Sequence, residues 1–444
     1  MSRIALAWLV TAALGCSSTE GPAAPVGECD ARVRIDGICP GDLTTAAICG
    51  GADCTGGVTC ASVIMVDAPA ELAAKAAGAK SGACIILAAA TYPAVTLPAG
   101  VSLFGRGSSS TKIAGIATTG GKTATLRGML VAEGGIDVVG PGKLEIDRVI
   151  VRDGDPHGIH ATDTNLRVHA TTIEGPAGTS ADGIFVQCAG EPCSFPPQVD
   201  LDLVRIRNVG VVGLWTRGAQ MNLRGVEIVG IRKDAKRLQY GRGFEADAGA
   251  DITATGLVIK DCRDVGMLVD FSDIKLSNFL IAKNQRGVQL QGTKVATLEN
   301  FEITDNLGVG ITLHRGAAGV VIQNGRVAST TLTLMPTDVL GESDQIGDGI
   351  EWLGGSHADI KSTVTIEGSG RRAAIVSYDA AAPASLPVGS FEAKLLGDDA
   401  TKGLVVQGGS EAKLPAGLAV NGVTPIFFDK SKSLRVTAMM PTTP

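Results

Sequence analysis

One eight-residue pattern recurs nine times between Ala124 and Val327: apolar, any, apolar, any, any, apolar, any, apolar. Each half alternates as a strand does, so each copy predicts two short strands whose apolar side chains point to the same side. A strand repeat with a period of about 22 residues and no helices between copies is typical of a solenoid. The copies begin at Ala124, Leu144, Leu166, Val199, Met221, Ile252, Ile274, Ala296 and Val320.

The two middle residues of each copy form the whole connection between its strands. Glycine and asparagine, which tolerate a positive φ, recur at the second of these positions. The pattern therefore predicts a sharp, left-handed corner between the two strands. The residues are Gly128, Gly225, Gly256, Asn278, Asn300 and Asn324.

A second repeat, Gly-apolar-x-apolar, follows each pair of strands and precedes the next pair. It predicts a third strand in every coil, and three strands around one tight corner describe a triangular parallel β-helix. A β-sandwich, the alternative, would need hairpin turns instead of a fixed coil length. The repeat begins at Gly158, Gly183, Gly213, Gly243, Gly266, Gly287, Gly310, Gly349 and Gly403.

On these two repeats, the chain resembles the right-handed parallel β-helices of the pectate-lyase-like superfamily, from about residue 63 to 406. The resemblance implies an all-β, right-handed, single-stranded β-helix. It also implies that the Ala-rich segment 70–80 is a helix that plugs the N-terminal end, and that Asn278, Asn300 and Asn324 form an asparagine ladder. Stacked aliphatic side chains account for a chain that is 45% hydrophobic but only 4% aromatic.

The two ends of the chain predict export and a division into segments. Residues 1–15 carry Arg3 and an apolar run too short to span a bilayer, as in a signal peptide. Ala13 to Cys16 resembles a bacterial lipoprotein signal, which implies acylation of Cys16 and a place in the cell envelope, at the outer membrane or cell surface; ordinary secretion is the alternative. We expect a tether over 16–28, a Cys-rich segment over 29–62, the β-helix over 63–425 and a C-terminal cap and tail over 426–444.

Ten cysteines in an exported chain predict disulfides. Cys188 and Cys193 flank a short loop and are expected to pair, and Cys262 is left as a buried thiol. A net charge of −6 gives no signal for nucleic acid, so membrane contact is expected through the lipid anchor only, and the protein is expected to be a monomer. The N-terminal set, whose pairing stays open, is expected to knit a cap onto the first coil; it comprises Cys29, Cys39, Cys49, Cys54, Cys60 and Cys84.

Long insertions, at 152–157, 174–182, 229–242 and 328–348, fall at one corner and mark the working side of the solenoid. Alternation places Phe185 and Trp215 outward on the third strand, where they would form a flat platform for sugar rings. The alternative is that the inserted loops cover both rings. Further ligand-binding candidates around them are Arg217, Glu245, Arg232, Lys233 and Tyr240.

Asp155-Pro156-His157 resembles the Asp-Pro-His core of mannuronan epimerases, which are also right-handed β-helices. The resemblance implies acid–base chemistry by Asp155 with His157 or His160 as the base, and Asp182, one coil further on, would polarise the histidine. Arg217 or a loop lysine would neutralise a uronate carboxylate. The chain departs from that family where Gly158 replaces an acidic residue and Arg152 an aromatic one.

Three hypotheses follow for the function. The preferred one is a face that binds a polysaccharide, possibly acidic, without turnover; the alternatives are a uronate epimerase or lyase, and a passive surface rod that binds a protein partner. No cofactor is certain, although acidic residues near His157 offer oxygen ligands that suit Ca²⁺. Fold alone cannot choose among the three, because β-helices support many functions.

Overall fold

The computed structural model describes residues 29–45, 54–175, 181–190, 193–233, 240–336, 343–353, 355–370, 372–377, 391–399, 404–407 and 427–429. The predicted signal peptide, the tether, Cys16 and Cys49 lie outside the described residues. Within them the chain is a parallel β-helix with three strands per coil, as predicted. No helix in these ranges is both long and apolar enough to span a membrane.

The eight-residue copies form one sheet, here called the corner sheet, in which the strands on either side of the tight corner pair with those of the next coil. Its described strands are β1 (Ser62–Val66), β2 (Ala83–Leu87), β3 (Thr91–Tyr92), β5 (Ser102–Phe104), β6 (Lys112–Ile113), β8 (Thr123–Arg127), β9 (Leu130–Ala132), β11 (Lys143–Asp147), β12 (Ile150–Arg152), β14 (Asn165–His169), β15 (Thr172–Glu174), β17 (Gln198–Asp202), β18 (Arg205–Arg207), β20 (Gln220–Val229), β22 (Asp251–Lys260), β24 (Asp273–Ala282), β26 (Ala296–Thr304), β28 (Val320–Ala328), β32 (Ala358–Ile360), β33 (Val364–Glu367) and β35 (Lys394–Leu396).

The Gly-apolar-x-apolar strands form a second parallel sheet, here called the face sheet, in chain order. It extends past residue 425, where the β-helix was predicted to end. The hairpin of β29 (Thr333–Pro336) and β30 (Ser343–Ile346) projects from one insertion. The described strands of the face sheet are β4 (Val95–Leu97), β7 (Ile116–Thr119), β10 (Ile136–Val139), β13 (His157–Thr162), β16 (Asp182–Gln187), β19 (Val212–Arg217), β21 (Arg242–Asp247), β23 (Val265–Asp270), β25 (Arg286–Gln291), β27 (Val309–His314), β31 (Asp348–Trp352), β34 (Arg372–Ser377), β36 (Leu404–Gln407) and β37 (Phe427–Asp429).

Glycine is the second residue of the eight consecutive face strands from β13 to β31, and a Cβ would collide with the next coil at the positions from Gly158 to Gly310. A Cβ on Gly213 would lie 2.6 Å from the carbonyl oxygen of Gly243 and 2.6 Å from Cγ2 of Ile228. Both distances are below van der Waals contact, and the same collision recurs on neighbouring coils. The second sequence repeat is therefore a packing requirement of the corner where the chain enters the face sheet.

The tight corners are left-handed, as predicted. The φ angles are 60° at Gly225, 55° at Asn278 and 51° at Asn300. Arg148 and Leu203 take the same conformation, with φ of 52° and 54°, so the coil geometry overrides residue preference at these positions. Stacking fixed corners in this way puts equivalent residues of successive coils in register.

A ladder of buried asparagine side chains lies at the corner that leads into the face sheet, and not at the tight corner where the ladder was expected. The Oδ1 atom of Asn306 accepts hydrogen bonds from the backbone N and from Nδ2 of Asn284, both at 3.1 Å. Both residues are buried. Asn278 instead donates from Nδ2 to the Arg32 carbonyl, and Asn324 donates to Glu299. The position of the predicted ladder was therefore wrong, because the left-handed corner residues point outward.

Aliphatic side chains fill the interior as one continuous core. The helix α1 (Leu72–Ala77), preceded by a 3-10 turn at Pro69–Glu71, buries Leu72 and Ala76 in that core near the first coils, which agrees with the predicted plug. Each inward side chain lies against its equivalents one coil away. Hydrophobic burial along the whole stack thus stabilises the fold.

The N-terminal segment runs along the side of the coils. It carries 3-10 turns at Ala31–Val33 and Asp42–Thr45, and Val33 packs against Val258 and Leu280 on the outside of the corner sheet. Residues 29–45 are therefore a strap over the tight corners and not part of the predicted cap, whereas Cys54 and Cys60 pack on the first coils as predicted. Disulfides join Cys29 to Cys39 within the strap and Cys60 to Cys84 on the first coils.

Candidate functional site

The face sheet orients its side chains as the alternation predicts. Ile184 and Leu214 point inward and are fully buried, while His160, Phe185 and Trp215 point outward. These three outward residues are direct register partners on successive strands. The predicted phasing of this face is confirmed.

The aromatic side chains on this face stack along the rod. The ring centroids of His160 and Phe185 are 5.4 Å apart with planes 16° from parallel, and those of Phe185 and Trp215 are 4.5 Å apart at 23°. Because the faces lie against one another, the rings show their edges to the outside. Phe185 is only 8% exposed. The predicted flat sugar platform is therefore wrong: strand spacing brings the rings into mutual contact.

His157 and Asp182 form a polar pair at the entry to the face sheet. Nδ1 of His157 lies 3.1 Å from Oδ2 of Asp182, and Oδ1 of Asp182 accepts a hydrogen bond of 3.1 Å from the backbone N–H of Val212. The carboxylate is buried, and this second bond fixes its orientation. Within the described residues, Nε2 of His157 has no hydrogen-bond partner, and the side chain is 22% exposed. An imidazole held at Nδ1 with a free, accessible Nε2 can take a proton from a ligand.

His160 has both ring nitrogens in contact with protein groups. Nδ1 lies 2.7 Å from Oδ1 of Asp137. Nε2 lies 3.1 Å from Oγ1 of Thr162 and 3.2 Å from Nε2 of Gln187. The Gln187 amide nitrogen can only donate, so Nε2 of His160 accepts and its lone pair is occupied. His160 therefore supports the stack, and its ring centroid is 5.0 Å from that of His157.

Asp155 does not join the His157–Asp182 pair. It is exposed, it precedes Pro156 through a cis peptide bond, and its carboxylate makes no side-chain contact with another described residue. Across the described ranges, no group of three or more His, Cys, Asp or Glu side chains is arranged to hold a metal ion. The Ca²⁺ hypothesis therefore gains no support from these residues.

The predicted basic and polar ligand contacts separate into two places, at opposite ends of the face strands. Arg217 donates from Nε to Asp247 at 3.0 Å, and Nε1 of Trp215 donates to the same carboxylate at 3.2 Å. Tyr240 lies against the Arg242 guanidinium, 4.9 Å from its ring centroid. Arg232 and Lys233 lie at the same end as Tyr240, at the corner that leads into the face sheet, where a Cβ on Gly241 would be 3.2 Å from the carbonyl carbon of Arg232.

Glu245 faces outward but is buried, which contradicts the expectation of an exposed ligand contact. Its Oε1 accepts a hydrogen bond of 2.6 Å from Arg242, which also lies 3.5 Å from Asp264. Burial raises the pKa of Glu245, although the Arg242 charge opposes this. A buried, paired carboxylate here stabilises the layer around it and is closed to a ligand.

Cysteines near the face behave as predicted. Cys188 and Cys193 form a disulfide with an S–S distance of 2.04 Å at the far end of the Asp182–Gln187 strand. Cys262 is a buried free thiol. Burial raises its pKa to about 12, so the thiol stays protonated and unreactive in the folded protein.

Comparison with known proteins supports the fold. The family described as "right handed beta helix region" matches residues 134–327 and 182–369, together more than half of the chain. No curated protein matches the chain at a significant level.

Three solved structures are among those similar to this chain. Two are A-modules of mannuronan C-5 epimerases of Azotobacter vinelandii. The first aligns with a TM-score of 0.35 and 16% identity, and the alignment covers 81% of this chain and 93% of the A-module. The second aligns with a TM-score of 0.34 and 16% identity, and covers 74% of this chain and 92% of the A-module. A polygalacturonase from Erwinia carotovora aligns with a TM-score of 0.33 and 10% identity, and the alignment covers 81% of this chain and 97% of the polygalacturonase. Similarity this low carries no argument about activity.

Proposed function

We propose that this chain, which belongs to the right-handed β-helix family, binds an acidic polysaccharide beside the His157–Asp182 pair and transfers a proton on it. The observation that carries the proposal is that Nε2 of His157 has no partner among the described residues, while Nδ1 faces a carboxylate that is itself held by the Val212 N–H. Asp182 keeps the proton of the neutral imidazole on Nδ1 and stabilises the imidazolium that forms when Nε2 takes a proton.

The chemistry of a histidine base restricts the substrate. A carbon-bound proton becomes accessible to an imidazole only when it is acidified, as is the C5 proton of a uronate, which lies next to a carboxylate. Removal of that proton leaves a carbanion at C5. Return of a proton to the opposite face inverts C5, whereas cleavage of the C4–O bond, with a proton taken up by the departing oxygen, gives elimination. Among the described residues, only one imidazole of this cluster has a free ring nitrogen, since Nε2 of His160 is occupied, so His157 is the base in either reaction.

A screen of uronate polymers, with and without calcium, tests the proposal. Elimination is followed by the ultraviolet absorbance of the unsaturated product, and inversion by deuterium uptake at C5 from heavy water. We expect His157→Gln to lower turnover by about 10²–10⁴-fold, the usual contribution of a general base, and Asp182→Asn to lower it as well.

His160→Gln is the matched control. It replaces a histidine that is also paired with an aspartate and lies 5.0 Å away by ring centroids, yet it should retain most of the turnover. Equal losses in the two histidine variants would contradict the assignment of His157 as the base, as would a wild-type protein that turns over no uronate polymer.

Binding without turnover is the second candidate. Arg217, the predicted neutralising cation, is already paired with Asp247 and is displaced from His157 by two strands. A substrate carboxylate next to His157 would then lack this partner. Uronate binding that is retained in the wild type and in His157→Gln, with no product from either, would favour this candidate.

Export and lipid anchoring at Cys16 belong to the same proposal. Three disulfides among the described residues suit an oxidising compartment. Labelling of the protein by a radioactive fatty acid, lost in Cys16→Ser together with membrane association, is the expected result. Release of unlabelled wild-type protein into the medium would contradict anchoring.

A further inference from the structure

A basic corner pocket lies on the same side of the rod as His157. It has a volume of about 650 Å³ and is formed where successive coils turn from the corner sheet into the face sheet. Its cations are Arg232, Lys233, Arg263 and Lys283, and Asp261 is the single acidic residue of its lining. The pocket is thus locally positive in a chain whose net charge is −6.

The four cations are available to a ligand. Within the described residues none of them makes a side-chain hydrogen bond or ion pair with the protein, whereas most arginines on neighbouring strands are paired. Lys233, Arg263 and Lys283 are exposed, and Arg232 is half-buried. Like charges in one concavity repel, and a bound anion would relieve that repulsion.

The spacing of the cations along the rod indicates the kind of anion. Val229, Lys260 and Ala282 are register partners on three consecutive coils. Arg232 and Arg263 each stand three residues after their partner, and Lys283 stands one residue after Ala282. Adjacent coils are about 4.8 Å apart, so Arg232 and Arg263 are stacked one coil apart, and Lys283 lies on the next coil, nearer by two residues to the corner sheet. A linear polymer that carries one anionic group on each of several sugars matches cations placed on three successive coils.

We propose that the basic corner pocket binds the carboxylate or sulfate groups of an acidic polysaccharide. Charge-assisted hydrogen bonds from the guanidinium and ammonium groups to these oxyanions provide the affinity. The pocket begins about two coils beyond His157 in the chain direction, at Asn208, and shares its corner. Binding here does not require proton transfer at His157, so the two proposals stand separately.

The test compares three polymers on the full-length protein: polygalacturonate, dextran sulfate and uncharged dextran. We expect both anionic polymers to bind and dextran not to bind. The double variant Arg263→Gln, Lys283→Gln should weaken the binding of both anionic polymers by at least about tenfold, because it removes charge-assisted hydrogen bonds to the bound anions. The affinity should also fall as salt is raised.

Lys275→Gln is the matched control. Lys275 is an exposed cation on the same strand as Ala282 but outside the pocket, and its loss should leave the affinity unchanged. Competition by sodium sulfate should displace both polymers. Because Arg263 and Lys283 are unpaired within the described part of the chain, circular dichroism and the thermal midpoint should not change in the double variant.

Unchanged affinity in the double variant would overturn the proposal, and so would an equal loss in Lys275→Gln, which would indicate only overall charge. Binding of sodium sulfate alone, with neither polymer retained, would overturn the assignment to a polysaccharide. His157→Gln separates this proposal from the preceding one: it should abolish turnover and leave binding of dextran sulfate intact.

Discussion

Basic and acidic side chains alternate along the tight corners, and they give the clearest prediction of how stability depends on pH. Arg127, Asp147, His169, Asp202 and Arg224 are register partners on five successive coils. Asp147 lies 2.7 Å from Nε of Arg127 and 2.9 Å from Nδ1 of His169, and Asp202 lies 2.9 Å from Arg224. Removal of the Asp147 charge therefore leaves Arg127 and Arg148 without this anion, while His169 keeps Asp202 at 3.9 Å.

The pKa of Asp147 sets the size of the expected change in the free energy of unfolding. Burial by itself would raise the pKa, but His169, Arg148 and Arg127 together lower it from 3.8 to about 2. At about 1.4 kcal/mol for each tenfold change in proton affinity, this corresponds to about 2.4 kcal/mol of stability at neutral pH. Because the side chain is 15% exposed, solvent screening reduces the figure to about 1–2 kcal/mol.

The direction of the pH effect follows from the linkage between proton binding and folding. A carboxyl whose pKa is lower in the folded state stabilises the fold above its unfolded pKa of 3.8, and this contribution is lost as the pH falls toward about 2. Asp147→Asn should lower the free energy of unfolding in urea by about 1–2 kcal/mol at pH 7, and the difference from the wild type should shrink toward pH 2.

Asp251→Asn serves as the control for this experiment. Asp251 is exposed at the start of strand β22 of the corner sheet and has no ion pair among the described residues. It should change the stability by less than about 0.5 kcal/mol. A difference between wild type and Asp147→Asn that is the same at pH 2 and pH 7 would refute the reasoning, since the effect would then be unrelated to the charge.

Two further predictions concern packing and reactivity. Gly213→Ala should destabilise the protein by at least about 1–3 kcal/mol in urea unfolding, because its Cβ meets Gly243 and Ile228 at 2.6 Å; Gly78→Ala, with its nearest contact at 3.6 Å, should not. Cys262, whose pKa is raised to about 12, should resist iodoacetamide at pH 8 until urea unfolds the chain, and labelling of the folded protein would contradict its burial.

The repeats in the sequence predict the coil and its phasing because each position has a steric reason. A tight two-residue corner forces the left-handed conformation even on Arg148 and Leu203, and the alternation of the strand then fixes which side chains are buried. The row of basic and acidic side chains along the tight corners was equally accessible, since Arg127, Asp147 and His169 occupy the same position of the eight-residue pattern.

Features outside the repeat could not be predicted in this way. The strap places Arg32 beside Glu302, 270 residues away, and no periodicity links the two. Ring orientation is also independent of the pattern: alternation gives the side of the strand on which Phe185 and Trp215 lie, but contact with neighbours at strand spacing decides that the rings stack.

The candidate site shows where sequence reasoning stops. Alternation and corner position bring an aspartate to each of two histidines, Asp182 to His157 and Asp137 to His160, so the two pairs are equivalent on residue type alone. Their chemistry differs because Gln187 and Thr162 occupy the second nitrogen of His160. A solenoid multiplies such pairs by stacking similar coils, and the nitrogen that remains free determines which pair can act as a base.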